Sequence, residues 1–257
     1  MASVIRDMTD QLKAVFFDLG GTLFSYRAIA KSVSGVMEEA ATRLGLDTGA
    51  AAVGPAFMRA SRRAGKEFLA HDYYLHRDLF VESYRLWVDE IEGQADDEFY
   101  DWFYEAQRDA LVTGVTARPD CIETLIALRE RGLSLSIVSN IDDDYLGPIV
   151  ETLELAPLLD HVSSSEEALS CKPHSQIYHH AMKKADVAPH EVLFVGDSPP
   201  HDVRGARAVG MLSALIEETP GVNSGPDTDE PDYRIESLSD LLPLVDEIMQ
   251  KPTEDRS

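Results

Sequence analysis

From residue 118 onward the chain repeats one unit, a short apolar run that ends in a polar residue and is followed by a stretch with helical spacing. The runs at 133–138, 161–162, 192–195, 212–216 and 233–235 read as buried strands, and so does an earlier run at 13–18. Helices are expected at 119–131, 145–153, 173–185, 203–209 and 238–249, with Pro119 opening the first, Gly132 stopping it and Ser237 capping the last. Repeated strand–helix units pack only as a mostly parallel sheet covered by helices on both faces. Such α/β folds bind ligands at the carboxyl ends of their strands. The polar residues that close the apolar runs are therefore the candidates for chemistry.

Residues 25–114 follow another pattern. Apolar residues recur at helical spacing (Val33, Val36, Met37 and Ala40, later Leu79, Phe80, Tyr84 and Trp87), aromatics are dense, and no segment alternates like a strand. Breaks are expected near 45–55 and 93–97. The organisation implied is a Rossmann-like parallel-sheet core from 1–24 and 115–249, an inserted all-helical cap domain at 25–114, a loop at 217–231 and a frayed tail at 250–257.

Composition narrows the partners. The chain carries 46 acidic and 23 basic residues, a net charge of −23. Phosphate backbones and anionic membranes call for basic patches, so neither nucleic acid nor a membrane surface is expected as a partner. No apolar run is long enough to span a bilayer, and residues 1–12 carry Arg6, Asp7 and Asp10 in place of a signal-peptide core. The two cysteines, Cys121 and Cys171, have neither metal-ligand spacing nor the number a disulfide framework needs. A reducing, cytoplasmic setting is the expectation.

Four clusters fall at strand ends or helix starts: Asp18-Leu19-Gly20-Gly21-Thr22, Ser139-Asn140, Lys172-Pro173, and Gly196-Asp197 with Asp202. Taken alone, each is what turns and helix caps leave behind. Together they hold the parts of a phosphate chemistry. A strand-end carboxylate can attack or ligate, and a second completes an oxygen site for Mg²⁺. A hydroxyl with nearby backbone N–H groups binds phosphate oxygens, and a lysine supplies positive charge.

The motifs VFFDLGGTLF, SIVSN, CKPHSQIY and VGDSPPHDVRGARAVGM, in this order, resemble the four signatures of haloacid dehalogenase (HAD) superfamily hydrolases with a helical cap. The resemblance implies a hydrolase acting on a phosphorylated small molecule. Asp18 would be the nucleophile that becomes an aspartyl phosphate, and Ser139 and Lys172 would hold the phosphoryl oxygens. Mg²⁺ would be bound by Asp18, Asp197 and the Gly20 carbonyl. Asp202 would support the site, and Thr22 and Asn140 would orient the loops.

One position departs from the pattern. Most phosphatases of the superfamily carry Asp two residues after the nucleophile as general acid and base, and this chain has Gly20. That group is typically worth 10²–10⁴ in rate. Three outcomes follow: another residue replaces it, the substrate needs no acid, or the protein is a weak or non-catalytic binding protein. Replacements are sought in the cap segment 71–76, first at His71 and Asp72, and at His174 and His201. A Gly20→Asp substitution is expected to restore the acid unless Gly20 has positive φ. The rival chemistries are 2-haloacid dehalogenation, which lacks the carboxylate supplied by Asp197, and phosphonate cleavage. The latter needs a cap lysine, for which only Lys31 and Lys66 are available.

Overall fold

The computed structural model describes residues 12–46, 50–217 and 230–250. Its sheet consists of β1 (Ala14–Phe17), β2 (Ser134–Ser139), β3 (His161–Ser164), β4 (Val192–Gly196), β5 (Leu212–Ile216) and β6 (Tyr233–Ile235), in the order β3-β2-β1-β4-β5-β6. Every pairing is parallel. All the strands read from the sequence are present. β1 and β4 are buried at every position, which explains their unbroken apolar runs.

The chain runs from β1 into α1 (Tyr26–Arg43), α2 (Ala50–Phe68), α3 (His76–Glu90) and α4 (Asp97–Gly114) before α5 (Cys121–Glu130) returns it to the sheet. Helices α6 (Asp143–Thr152), α7 (Ser165–Ala168), α8 (Ser175–Ala185), α9 (Arg204–Ala208) and α10 (Leu241–Gln250) follow. Local chemistry sets several starts. The side chain of Ser25 accepts from Arg27 N at 3.2 Å, and that of Asp96 accepts from Phe99 N at 2.9 Å. The core is continuous from the sheet into the inserted helices, where Phe103 stacks on Tyr84 and meets Trp87 at a tilt.

Several boundaries differ from the sequence reading, among them the start of α5, which lies at Cys121 and not at Pro119. Helix α2 begins at Ala50 and contains Pro55, so the expected break stops short of that residue. Val53, Ala56, Ala60 and Ala64 form its buried stripe, and this packing outweighs proline's poor helix propensity. Helix α8 starts at Ser175, after a turn in which His174 N donates to Cys171 O at 2.9 Å. A π-helical turn over Pro199–Val203 precedes α9, and a 3-10 turn over Leu238–Asp240 precedes α10. Segments 1–11 and 251–257, and most of the loop 217–231, lie outside the described residues. No described helix is long and apolar enough to cross a membrane.

One contact ties the helical insert to the sheet. Asp142, after β2, accepts from the backbone N–H of His76 at 2.9 Å and of Arg77 at 2.7 Å, capping α3 from another part of the chain. Burial works against its charge, but the bonds from His76 and Arg77 win and hold its carboxyl below the usual range. Asp142→Ala should cost about 1–2 kcal/mol, as loss of a helix cap does, measured by chemical denaturation near neutral pH. Because the folded pKa is lowered, this contribution is present above pH 3.8 and fades as pH falls through the folded value.

Candidate active site

Strands β2, β1 and β4 are neighbours, so their carboxyl ends stand side by side. Asp18 follows β1 and is fixed by its N–H donating to Val195 O at 2.8 Å. Ser139 closes β2, and Asp197 follows Gly196 at the end of β4. The strand order switches here, with β2 and β3 added on one side of β1 and β4 to β6 on the other, which is where open α/β sheets bind ligands.

Lys172 joins these ends. Its Nζ donates to Asp18 Oδ1 and to Asp202 Oδ1, each at 2.6 Å, and the side chain is almost fully buried. Ser139 Oγ donates to the same Asp18 oxygen at 3.2 Å. Asn140 fixes the lysine's backbone from both sides, with Nδ2 donating to Lys172 O at 3.0 Å and Oδ1 accepting from Lys172 N at 2.6 Å. Asp202, in the π-helical turn, also accepts from Ser198 N at 2.9 Å.

Asp18, Asp197 and Asp202 each offer an oxygen, and these lie within 4.8 Å of one another. Two glycines permit the approach. A Cβ at Gly21, whose φ is +83°, would collide with the Asp197 carboxylate, and one at Gly196 would collide with Asp202. Charge is unbalanced, with three carboxylates facing one ammonium. Burial, then repulsion from Asp18 and Asp202, pushes the Asp197 carboxyl up to about 7. Burial also raises Asp18, against the pull of Lys172. For Lys172 the two carboxylates outweigh burial and keep it charged. A divalent cation would neutralise the excess, and hard oxygen donors at this spacing suit Mg²⁺. Thr22 is fully buried, and its Oγ1 has no hydrogen-bond partner among the described residues.

The replacements sought for the missing acid lie elsewhere. His71 and Asp72 are exposed, and His174 Nδ1 sits 3.4 Å from Asp72. His201 lies 3.1 Å from Lys172 O, and burial lowers its pKa, leaving it neutral. The group beside Gly20 is Tyr26, from the first turn of α1. More than half of Tyr26 is exposed, but its hydroxyl end reaches the site: a Cβ built on Gly20 would collide with that hydroxyl and sit 2.7 Å from its Cζ. Burial of the hydroxyl, then the charges of Asp18, Asp197 and Asp202, raise its pKa. The phenol occupies the space that the usual carboxylate would take.

Arg118 also escaped the sequence reading. Its guanidinium donates to Gly21 O at 2.5 Å and Thr22 O at 2.8 Å, pinning the turn after Asp18. Each residue looks ordinary in sequence, Tyr26 as a helix-start aromatic and Arg118 as the residue before Pro119. The available signal was the aromatic placed just after a motif that lacked its acid.

The family model for haloacid dehalogenase-like hydrolases matches residues 12–210. The chain belongs to this family of hydrolases. It is 32% identical to haloacid dehalogenase-like hydrolase domain-containing protein 3 of Bos taurus, covering 92% of this chain and 94% of that protein. It is 34% identical to phosphoglycolate phosphatase of Escherichia coli K12 over 49% of this chain, spanning 50% of that enzyme. A crystal structure of a dehalogenase superposes with a TM-score of 0.67 at 25% identity, covering 92% of this chain and 98% of that one.

Two outcomes are expected. Gly20→Asp alone should lower stability and rescue nothing, because the obstacle is the Tyr26 phenol and not a positive φ. A double-mutant cycle with Tyr26→Ala, by chemical denaturation, should show a favourable coupling of about 0.5–3 kcal/mol; additive effects would mean that the two side chains do not compete. The second concerns Asp197, whose folded pKa of about 7 lies above the ordinary 3.8. The folded state then holds its proton more tightly than the unfolded state, so stability falls as pH rises between these values. In EDTA, the melting temperature of the wild type should drop relative to Asp197→Asn across that window.

Proposed function

We propose that this hydrolase is a Mg²⁺-dependent phosphatase of a phosphorylated small molecule, acting through an aspartyl phosphate on Asp18. The observation that carries this reading is the convergence of Asp18, Asp197 and Asp202 around the Lys172 ammonium. Asp18, Asp197 and the Gly20 carbonyl are the ligands proposed for the ion. When bound, Mg²⁺ would neutralise charge on the phosphoryl group and the attacking carboxylate.

The chain's own residues supply the rest. Lys172 and Ser139 both donate to one oxygen of Asp18, fixing the carboxylate plane for attack by the other. The carboxylate oxygen bonds to phosphorus as the bond to the leaving oxygen breaks, and that oxygen takes up a proton. Water then hydrolyses the acyl phosphate, releasing inorganic phosphate and restoring Asp18. Lys172, Ser139 and backbone N–H groups of the turn offset charge on the phosphoryl oxygens. Thr22 and Asn140 keep the two loops in register. The Tyr26 hydroxyl stands where the usual acid would be, so it is the group placed to donate to the leaving oxygen.

Helices α1–α4 are proposed as a cap, dividing the chain into 25–114 and a core of 1–24 with 115–249. Closed over the strand ends, they keep bulk water from the acyl phosphate. The buried free thiols Cys121 and Cys171 suit a reducing, cytoplasmic setting.

Dehalogenation is the weaker reading. A 2-haloacid brings a carboxylate into the site, yet no described residue lining the adjoining cavity is basic, and Asp197 adds negative charge.

Asp18→Asn should remain folded by circular dichroism and release no phosphate from acetyl or p-nitrophenyl phosphate with Mg²⁺, and EDTA should silence the wild type. Chloride release from 2-chloropropionate without phosphate release would overturn the assignment. Tyr26→Phe should slow alkyl phosphates by about 10²–10⁴, the usual worth of general acid catalysis, while acetyl phosphate, with its acidic leaving group, changes little. Equal loss on both would remove Tyr26 from the proton transfer.

A further inference from the structure

A cavity of about 400 Å³ opens from the reaction centre at Gly20, Ser139 and Asn140 and runs between the strand ends and the inserted helices. That volume lies within the range of small-molecule sites. Its walls include Phe57, Leu79, Phe80, Tyr84, Leu111 and Ile149, and none of the described residues lining it is charged.

This wall decides what can occupy it. A second anion on the substrate, such as a carboxylate, would sit beside the acidic site with no cation to pair with, and a buried unpaired charge is prohibitively costly. A polyol fares little better, because each hydroxyl needs a partner. Ser83 Oγ already donates to Leu79 O at 2.8 Å, and Ser139 and Asn140 are engaged with Asp18 and Lys172, which leaves Ser61, Gln107 and the tyrosine hydroxyls as partners. Of the two side-chain amides that line the cavity, Asn140 is engaged with Lys172 and the other has a donor to spare. Gln107 lines the cavity, is 8% exposed, and its Nε2 has no hydrogen-bond partner among the described residues.

We infer that this cavity binds the leaving alcohol of the substrate, and that the alcohol is uncharged and apolar, alkyl or aryl, with a hydrogen-bond acceptor at the depth of Gln107. The inference rests on the phosphatase reading and deepens it. It departs from the substrate named for the Escherichia coli relative, since phosphoglycolate carries a carboxylate on the group that would enter.

The test is calorimetric titration of the wild type with Mg²⁺ and alkylphosphonates from ethyl to hexyl, with phosphonoacetate as the charged counterpart. Affinity should rise about fourfold per methylene, the worth of one buried CH₂ group, and phosphonoacetate should bind more weakly than butylphosphonate. Gln107→Leu should cost about tenfold on 2-butoxyethylphosphonate, which offers an acceptor, and nothing on hexylphosphonate. Acetyl phosphate, which has no chain to fill the cavity, separates the two readings. If it is hydrolysed while affinity stays flat with chain length, or while phosphonoacetate binds best, the inference is overturned and the phosphatase reading stands. A chain-length dependence without acetyl phosphate hydrolysis supports the cavity's ligand class and overturns the phosphatase reading. Neither hydrolysis nor binding would overturn both.

Discussion

The Lys172 ammonium, buried between Asp18 and Asp202, is the interaction on which the rest of the site depends. A buried charge survives only with partners, and removing one partner leaves the others uncompensated. The pairing also spans the chain, since Asp18 lies 154 residues from Lys172 and Asp202 a further 30. The parallel sheet meets this demand by setting adjacent strand ends in a row. Glycine at 21 and 196 then lets the carboxylates close in, and Asn140 holds the lysine's backbone where its side chain must start.

The opposite electrostatic regime begins a few ångströms away. Between the strand ends and the helical insert the wall turns apolar, and among the described residues no charge lines it. The two zones divide the work. On the proposed function, the charged zone would recognise what every phosphate ester shares, and the apolar zone what distinguishes one ester from another. Tyr26 stands at the border, with its hydroxyl toward the carboxylates and its ring edge-on to Phe24 at 5.5 Å. A neutral donor suits that border, because a carboxylate at position 20 would have added a fourth acid to a cluster already short of positive charge.

Much of this was legible in the sequence, for physical reasons. A strand buried on both faces must be an unbroken apolar run, so the sheet could be read, and the polar residue ending each run marked the site. Asp18, Ser139 and Asp197 were found this way, Lys172 at a helix start and Asp202 within the motif after β4, and the structure brings them together. What escaped depends on contacts between segments remote in sequence. Tyr26 looks like any aromatic at a helix start until its hydroxyl is seen against Gly20. Pro55 reads as a breaker until the buried stripe of α2 is packed. The cavity is assembled from residues scattered between 19 and 149, and no local pattern encodes its lack of charge.

The clasp by Arg118 has a consequence for how the molecule is made. Its guanidinium holds carbonyls 96 and 97 residues earlier in the chain, and Phe24 and Ala117 meet in an antiparallel bridge at the same place. Everything between is one closed loop whose two feet touch. The entropic cost of closing a flexible loop grows only with the logarithm of its length, and the helices inside it form from local contacts that shorten the span to be searched. The nucleophile's turn is thus fastened late, by a residue that leaves the ribosome only after the entire insert. A chain cut anywhere between residues 22 and 118 carries Asp18 but lacks the clasp that shapes the turn behind it.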